Sequence, residues 1–300
     1  MLIRSRYLLL TTLLGWSLTF IEPSQVALAQ SQIVIPKHET AEQLLERGNA
    51  YIRLGNLEGA IAMFRASIAK KPELTIAHYN LGLALAQSGQ IQQAVYAFQQ
   101  VIRLEPKFAL AYSNLGAAWL QLGNFPQAVS NLQTAIELSP NLAIAHYNLG
   151  LAYKEQKQNG KAIAALQKAI TLDANSPEAH YQLGLLIQAQ GNFTSAINHY
   201  QTAIKLNPNY AEAHYNLGAV LLLRNQTEEA IAHLQKAIQL KPNYANAYYT
   251  LGVAQAKLGQ TQQAIQSFIQ AQAYFNQQQD SHWAKASDDQ IKLLRHSPRP

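Results

Sequence analysis

The 300-residue chain contains no cysteine, which removes disulfides, thiolate nucleophiles and thiolate-held metals together. Charge is also scarce, at 13% of residues against roughly 25% in an average soluble protein. Glutamine and asparagine fill the gap, so the surface is expected to be polar but weakly charged. No HExxH, GxSxG or paired-carboxylate arrangement occurs, and Gly160-Lys161 lacks the rest of a phosphate-binding loop. A non-enzymatic chain is therefore expected, with no catalytic residue, no metal, no cofactor and no small-molecule substrate of its own. The formal charge of +6 is spread along the chain without a lysine or arginine cluster. Phosphate binding needs basic residues gathered on one face, so nucleic acid is set aside as a partner.

Arg4 and Arg6 precede a nearly uncharged apolar run from Tyr7 to Ile21, which Glu22 and Pro23 break. Ala27-Leu28-Ala29 then supplies the small-x-small pattern that a signal peptidase reads. The run falls short of the ~20 residues that cross a bilayer. Residues 1–29 are thus expected to be a cleaved signal peptide, with membrane attachment only if cleavage fails. A linker is expected at residues 30–40, and the mature chain outside the cytoplasm: periplasm, lumen or secreted.

What is present in abundance is repetition. AHYNLG occurs at Ala77, Ala145 and Ala213, with AHYQLG at Ala179, AYSNLG at Ala111 and AYYTLG at Ala247. The ruler is 34 residues, and it also places Gly48 in the slot of Gly82. Seven units follow: 41–74, 75–108, 109–142, 143–176, 177–210, 211–244 and 245–278. A period of this length means stacked units. Within the second unit, His78, Leu81, Gly82 and Leu85 share one helical face, and Gly89 ends that helix. Ala94, Phe98, Val101 and Ile102 share a face of a second helix, closed by Pro106. Thr40 with Gln43 forms a capping-box pattern at the start. Trp283, Ala286, Ile291 and Leu294 are spaced for a capping helix at residues 279–296, with a frayed tail at 297–300.

This spacing resembles the tetratricopeptide repeat family, as His180, Leu183, Gly184, Ile187, Ala196, Tyr200, Ala203 and Pro208 of the fifth unit illustrate. The resemblance implies an all-α, right-handed superhelical solenoid of helix-turn-helix repeats that binds protein or extended peptide. Departures are few: Lys157 replaces a turn glycine, Asn225 another, and Ala174 and Asn276 stand where proline closes other units.

At ~100° per residue, His78 belongs to the seam with the partner helix, and Asn80 points to the opposite side. His146, His180 and His214 share the slot of His78 with Tyr112 and Tyr248, which a metal ligand could not allow. These histidines are expected to be core, while His199 and His233, on second helices, are expected to face outward. The asparagine slot holds Asn80, Asn114, Asn148, Gln182 and Asn216. Ile76, Leu83, Gln87, Leu110, Ile144, Leu151, Leu185 and Val253 lie beside it, with Ala117, Ala219 and Leu223. Either these amides solvate an exposed face, or they pair with a peptide backbone through their donor and acceptor. The apolar flanks favour the second reading and mark a peptide-binding groove. The repeats here resemble those of the enzymes that attach O-linked N-acetylglucosamine, without any catalytic domain; the resemblance implies an asparagine ladder that holds extended polypeptide. Tyr79, Tyr147, Tyr181, Tyr215 and Tyr249 are expected to pack against the neighbouring unit. Only Arg53 and Lys257 are cationic on the groove side, which leaves no clamp for a terminal carboxylate. Asn192-Phe193-Thr194 and Asn225-Gln226-Thr227 match a glycosylation acceptor. An exported scaffold or assembly factor for envelope or lumenal complexes is expected. A self-assembling structural protein or the targeting subunit of a separate enzyme are the alternatives.

Overall fold

The computed structural model describes residues 38–296. The expected signal peptide, most of the linker and the expected tail lie outside the described residues. The described chain is all-α: seven helix pairs and a final helix, with no strand among the described residues.

The chain divides into two compact units at Asp173/Ala174. The first carries α1 (Ala41–Arg53), α2 (Leu57–Lys70), α3 (Thr75–Gln87), α4 (Ile91–Leu104), α5 (Ala109–Gln121), α6 (Phe125–Leu138), α7 (Ala143–Glu155) and α8 (Asn159–Leu172). The second carries α9 (Pro177–Ala189), α10 (Phe193–Leu206), α11 (Ala211–Leu223), α12 (Thr227–Leu240), α13 (Ala245–Lys257), α14 (Thr261–Gln277) and α15 (Ser281–His296). The division falls where Ala174 replaces the proline that closes most units.

One close approach builds each pair. Gly82 on α3 faces Phe98 on α4, and a Cβ at Gly82 would meet the Phe98 ring at 2.6 Å. The helices can therefore pack over the ring only because the side chain is missing. Gly184 stands in the same relation to Tyr200, whose ring is fully buried. Ala94, Ala97 and Val101 fill the rest of the seam between α3 and α4, all buried.

The turns explain the helix ends. Gly89 sits at φ 82°, and the Gln90 amide returns to the Leu85 carbonyl at 2.8 Å. This 6→1 bond with a left-handed residue satisfies carbonyls that the helix end would orphan. Lys157, at φ 59°, makes the same turn without a glycine, and the Gln158 amide still reaches the Tyr153 carbonyl at 2.8 Å. At the entrance, Thr40 and Gln43 exchange side-chain and backbone hydrogen bonds in a capping box. Asn56, Asn124 and Asn192 cap α2, α6 and α10 by accepting from amides in the first turn. Asn192 of the first glycosylation-type triplet is thus an exposed cap residue. α14 continues through Asn276 and runs 17 residues where the other second helices run 14.

The final helix packs against α14, but its inner face is shifted from the expected one. Ala284, Ser287 and Ile291 are buried, while Trp283 remains 42% exposed. The Trp283 indole leans instead on Phe275 and on the edge of Tyr249, with ring centroids at 6.0 and 5.0 Å.

Candidate functional site

The histidine slot belongs to the core. His78 and His146 are buried and donate their Nε2–H to the carbonyls of Pro72 and Pro140 at 2.9 and 3.0 Å. His214 does the same to Pro208 at 3.2 Å. Each ring reaches back to the closing proline of the preceding repeat, so the slot fastens one repeat to the one before it.

His199 and His233 do not face outward as the helical wheel implied. Their Nδ1 atoms lie 3.2 and 3.0 Å from those of His180 and His214. Burial holds all four histidines below the ordinary imidazole range. Ala97, Asn131 and Ala165 fill this slot in earlier repeats, so the wheel had no reason to assign it a polar partner.

The amide slot is more enclosed than the groove expectation implied. Asn80, Asn114, Asn148 and Gln182 are buried, and Asn216 is half-buried. Asn114 donates Nδ2–H to the Tyr79 hydroxyl at 3.0 Å, and Asn216 donates to the Tyr181 hydroxyl at the same distance. Thr250, whose hydroxyl donates to the Asn246 carbonyl at 2.9 Å, is the hydrogen-bond partner of Tyr215 at the equivalent place. Leu45 stands at the tyrosine slot of the first repeat, and Asn80 donates instead to Asn49 Oδ1 at 2.9 Å. Burial raises the Tyr79 and Tyr215 phenols, which keeps these hydroxyls protonated. The tyrosines also pack, with rings tilted, against the aromatic residue before the next first helix. Tyr79 meets Phe108 at 5.0 Å, while Tyr181 meets Tyr210 and Tyr215 meets Tyr244 at 4.9 Å. Tyrosine and amide together thus set the spacing of successive first helices within each unit.

The expected flanks divide by depth. Leu83 and Leu151 are buried in the seam between first helices. Leu110, Ile144 and Leu185 are half-buried. Ile76, Val253 and Gln87 are exposed, and Leu223 is the most open of the aliphatics there at 65%. In the second unit this leaves one local patch. Asn216, Ala219 and Leu223 lie at i, i+3 and i+7 on α11, which touches α13 carrying Val253. Two cavities lie on the opposite side of the first helices, in the first unit. One, of about 420 Å³, is lined by His78, Arg65, Gln93 and Tyr96; the other, of about 530 Å³, by His146, Tyr153 and Lys161.

The family profile described as "TPR repeat" matches residues 119–157, 152–191, 188–224 and 220–259. Those described as "Tetratricopeptide repeat" match residues 45–109 and 245–278. The chain belongs to the tetratricopeptide repeat family. Comparison with curated proteins gives no match. Among solved structures, the tetratricopeptide chain is similar to MamA from Desulfovibrio magneticus, at 27% identity and a TM-score of 0.52. That likeness covers 58% of this chain and 99% of that chain, which runs from MamA residue 41 to its end. A tetratricopeptide repeat protein from Parabacteroides merdae shares the fold at 18% identity and a TM-score of 0.59, over 85% of this chain and 99% of that one. YrrB, a TPR protein with an unusual peptide-binding site, shares it at 24% identity and 0.50, over 61% of this chain and 95% of YrrB. Among the described residues, no helix is long and apolar enough to cross a membrane.

Proposed function

We propose that this tetratricopeptide chain is a non-catalytic scaffold that holds extended polypeptide on the face formed by the first helices within a unit. One observation carries the reading: Leu223 and Val253 stand exposed at 65% and 36% on neighbouring first helices, beside Asn216. Covering such aliphatic surface yields about 25 cal/mol per Å². Asn216 donates Nδ2–H to both the Tyr181 hydroxyl and the Glu212 carbonyl. Its carbonyl oxygen is the group left to accept a peptide N–H. In the first unit, Ile76 and Gln87 supply an exposed aliphatic and an exposed amide on the corresponding helix face.

Under this proposal the buried amides Asn80, Asn114, Asn148 and Gln182 act indirectly, by fixing the spacing of the helices that present the apolar contacts. YrrB, which shares the fold, is a TPR protein with a peptide-binding site. Absence of catalytic motifs supports a non-enzymatic role. The pattern of residues 1–29 supports export, and with it a role in assembling envelope or lumenal complexes.

Selection of random short peptides on the chain tests the proposal. Enriched peptides are expected to be apolar and uncharged, and to shift the methyl signals of Leu223 and Val253 while sparing Ile68. Failure to enrich any peptide, or shifts confined to the second helices, contradicts it.

A further inference from the structure

The paired histidines of the second unit lie outside the proposed peptide face and have a chemistry of their own. His180 on α9 meets His199 on α10, and His214 on α11 meets His233 on α12, Nδ1 to Nδ1 at 3.2 and 3.0 Å. The arrangement recurs one repeat later with nearly the same dimensions, so the repeat geometry builds it.

Backbone bonds fix the tautomer of the inner rings. His214 donates Nε2–H to the Pro208 carbonyl, and His180 bonds the backbone of Ala174 in the same role. A neutral imidazole has one N–H, so Nδ1 of each inner ring presents a lone pair. Metal-binding histidines are oriented this way, with the other ring nitrogen donating to a carbonyl.

The direction of those lone pairs selects the ligand. Ring centroids are 5.4 and 5.3 Å apart, only about 2.2 Å more than the nitrogen separations. That excess is about twice the distance from ring centre to ring nitrogen, so each pair of nitrogens lies on the line joining its rings. Head-on donors suit linear two-coordination. Converging donors and further ligands would be needed for a tetrahedral or octahedral ion. Among the described residues there is no group of three or more His, Cys, Asp or Glu that could hold a metal. At the second pair the positive charge of Lys236 acts on His214 and the negative charge of Glu229 on His233, a setting that there admits a single added positive charge more readily than two.

We propose that His180–His199 and His214–His233 are two linear bis-imidazole sites for a soft monovalent cation, copper(I) or silver(I). Without the cation, the outer ring donates Nδ1–H to the inner lone pair. On binding, that proton leaves Nδ1 and Nε2 of the outer ring takes one up, so both rings stay neutral and no net proton is released. With metal–imidazole bonds of about 2 Å, the nitrogens part by about 1 Å. The half-buried outer rings of His199 and His233 are placed to make that movement.

The other repeats supply controls. His78 and His146 keep the backbone anchor, but Ala97 and Ala165 occupy the slot of His199 and His233. They therefore have no second donor, and alanine at that slot is compatible with the fold. The absence of cysteine removes thiolate competition.

Silver(I) titration of the intact chain in chloride-free buffer, followed by calorimetry and histidine NMR, tests the assignment. Two equivalents are expected, with His199→Ala losing one, His233→Ala the other and the double variant both, at unchanged helix content. X-ray absorption of the loaded chain should show two nitrogen neighbours. A stoichiometry that the double variant does not lower, or no saturable binding, overturns the proposal. Zinc(II) or nickel(II) binding the same histidines as tightly as silver(I) overturns the linear monovalent assignment.

Discussion

Asn114 on α5 donates its amide to the Tyr79 hydroxyl on α3 at 3.0 Å, at a point where Asn114 is only 1% exposed. The bond crosses the seam between successive first helices, where a buried donor is expensive to strand. Tyr79→Phe keeps the ring on Phe108 and removes only the acceptor. A loss of about 1–3 kcal/mol in urea unfolding is expected. Tyr181→Phe acts on the half-buried Asn216 and should cost less, about 0.5–1 kcal/mol.

Glycine substitutions should separate close approach from open surface. Gly82→Ala drives a Cβ into the Phe98 ring, and overpacking of this kind costs about 1–3 kcal/mol. Gly160→Ala, in the first turn of α8, meets nothing within 4 Å. There the gain in helix propensity should stabilise by up to about 1 kcal/mol. Paired thermal melts of the two variants check the contrast.

Lys157 adopts φ 59° in a turn where Gly55, Gly89, Gly123, Gly191 and Gly259 take positive φ without steric cost. Its side chain is exposed, so little packing is lost on removal. Lys157→Gly relieves the left-handed strain but adds chain entropy to the unfolded state. A net stabilisation of about 0.5–1 kcal/mol is expected from chemical denaturation.

Burial lowers the pKa of His180, His199, His214 and His233 in the folded chain. The unfolded chain then binds more protons between the lowered values and the ordinary value near ~6.5, so stability rises with pH in that window. The contribution is complete above the ordinary histidine value and is lost as pH falls through the folded ones. Glu229 opposes the shift at His233, and Lys236 reinforces it at His214. Melting temperature should drop between about pH 7 and pH 5, and the His199→Ala, His233→Ala double variant should flatten that drop.

The fold was legible because a 34-residue ruler repeats the same seam. The glycine that admits a bulky side chain, an aromatic ring in four units and a leucine in three, and the histidine that reaches back to a proline carbonyl recur where the helical period places them. The surface was less legible. An angle on one helix shows that Asn80 points away from His78, but not that the preceding first helix covers it. Leu83 and Leu151, which the helical angle puts beside the groove, are buried for the same reason: the neighbouring repeat supplies a wall that a single-helix projection omits. His199 and His233 read as outward-facing because their slot is alanine or asparagine elsewhere, and only the three-dimensional pairing shows their partners. Leu223 and Val253, by contrast, remain open on the face where the aliphatic stripe was expected.

The central claim is that this open patch takes up polypeptide. The most direct measurement is fluorescence anisotropy of one selected peptide with the wild-type chain and with the Leu223→Asp, Val253→Asp double variant. Both changes lie on exposed positions, so unfolding midpoints should agree. Binding at least about tenfold weaker, roughly 1.4 kcal/mol, is predicted for the variant; equal affinity in a folded variant would contradict the account.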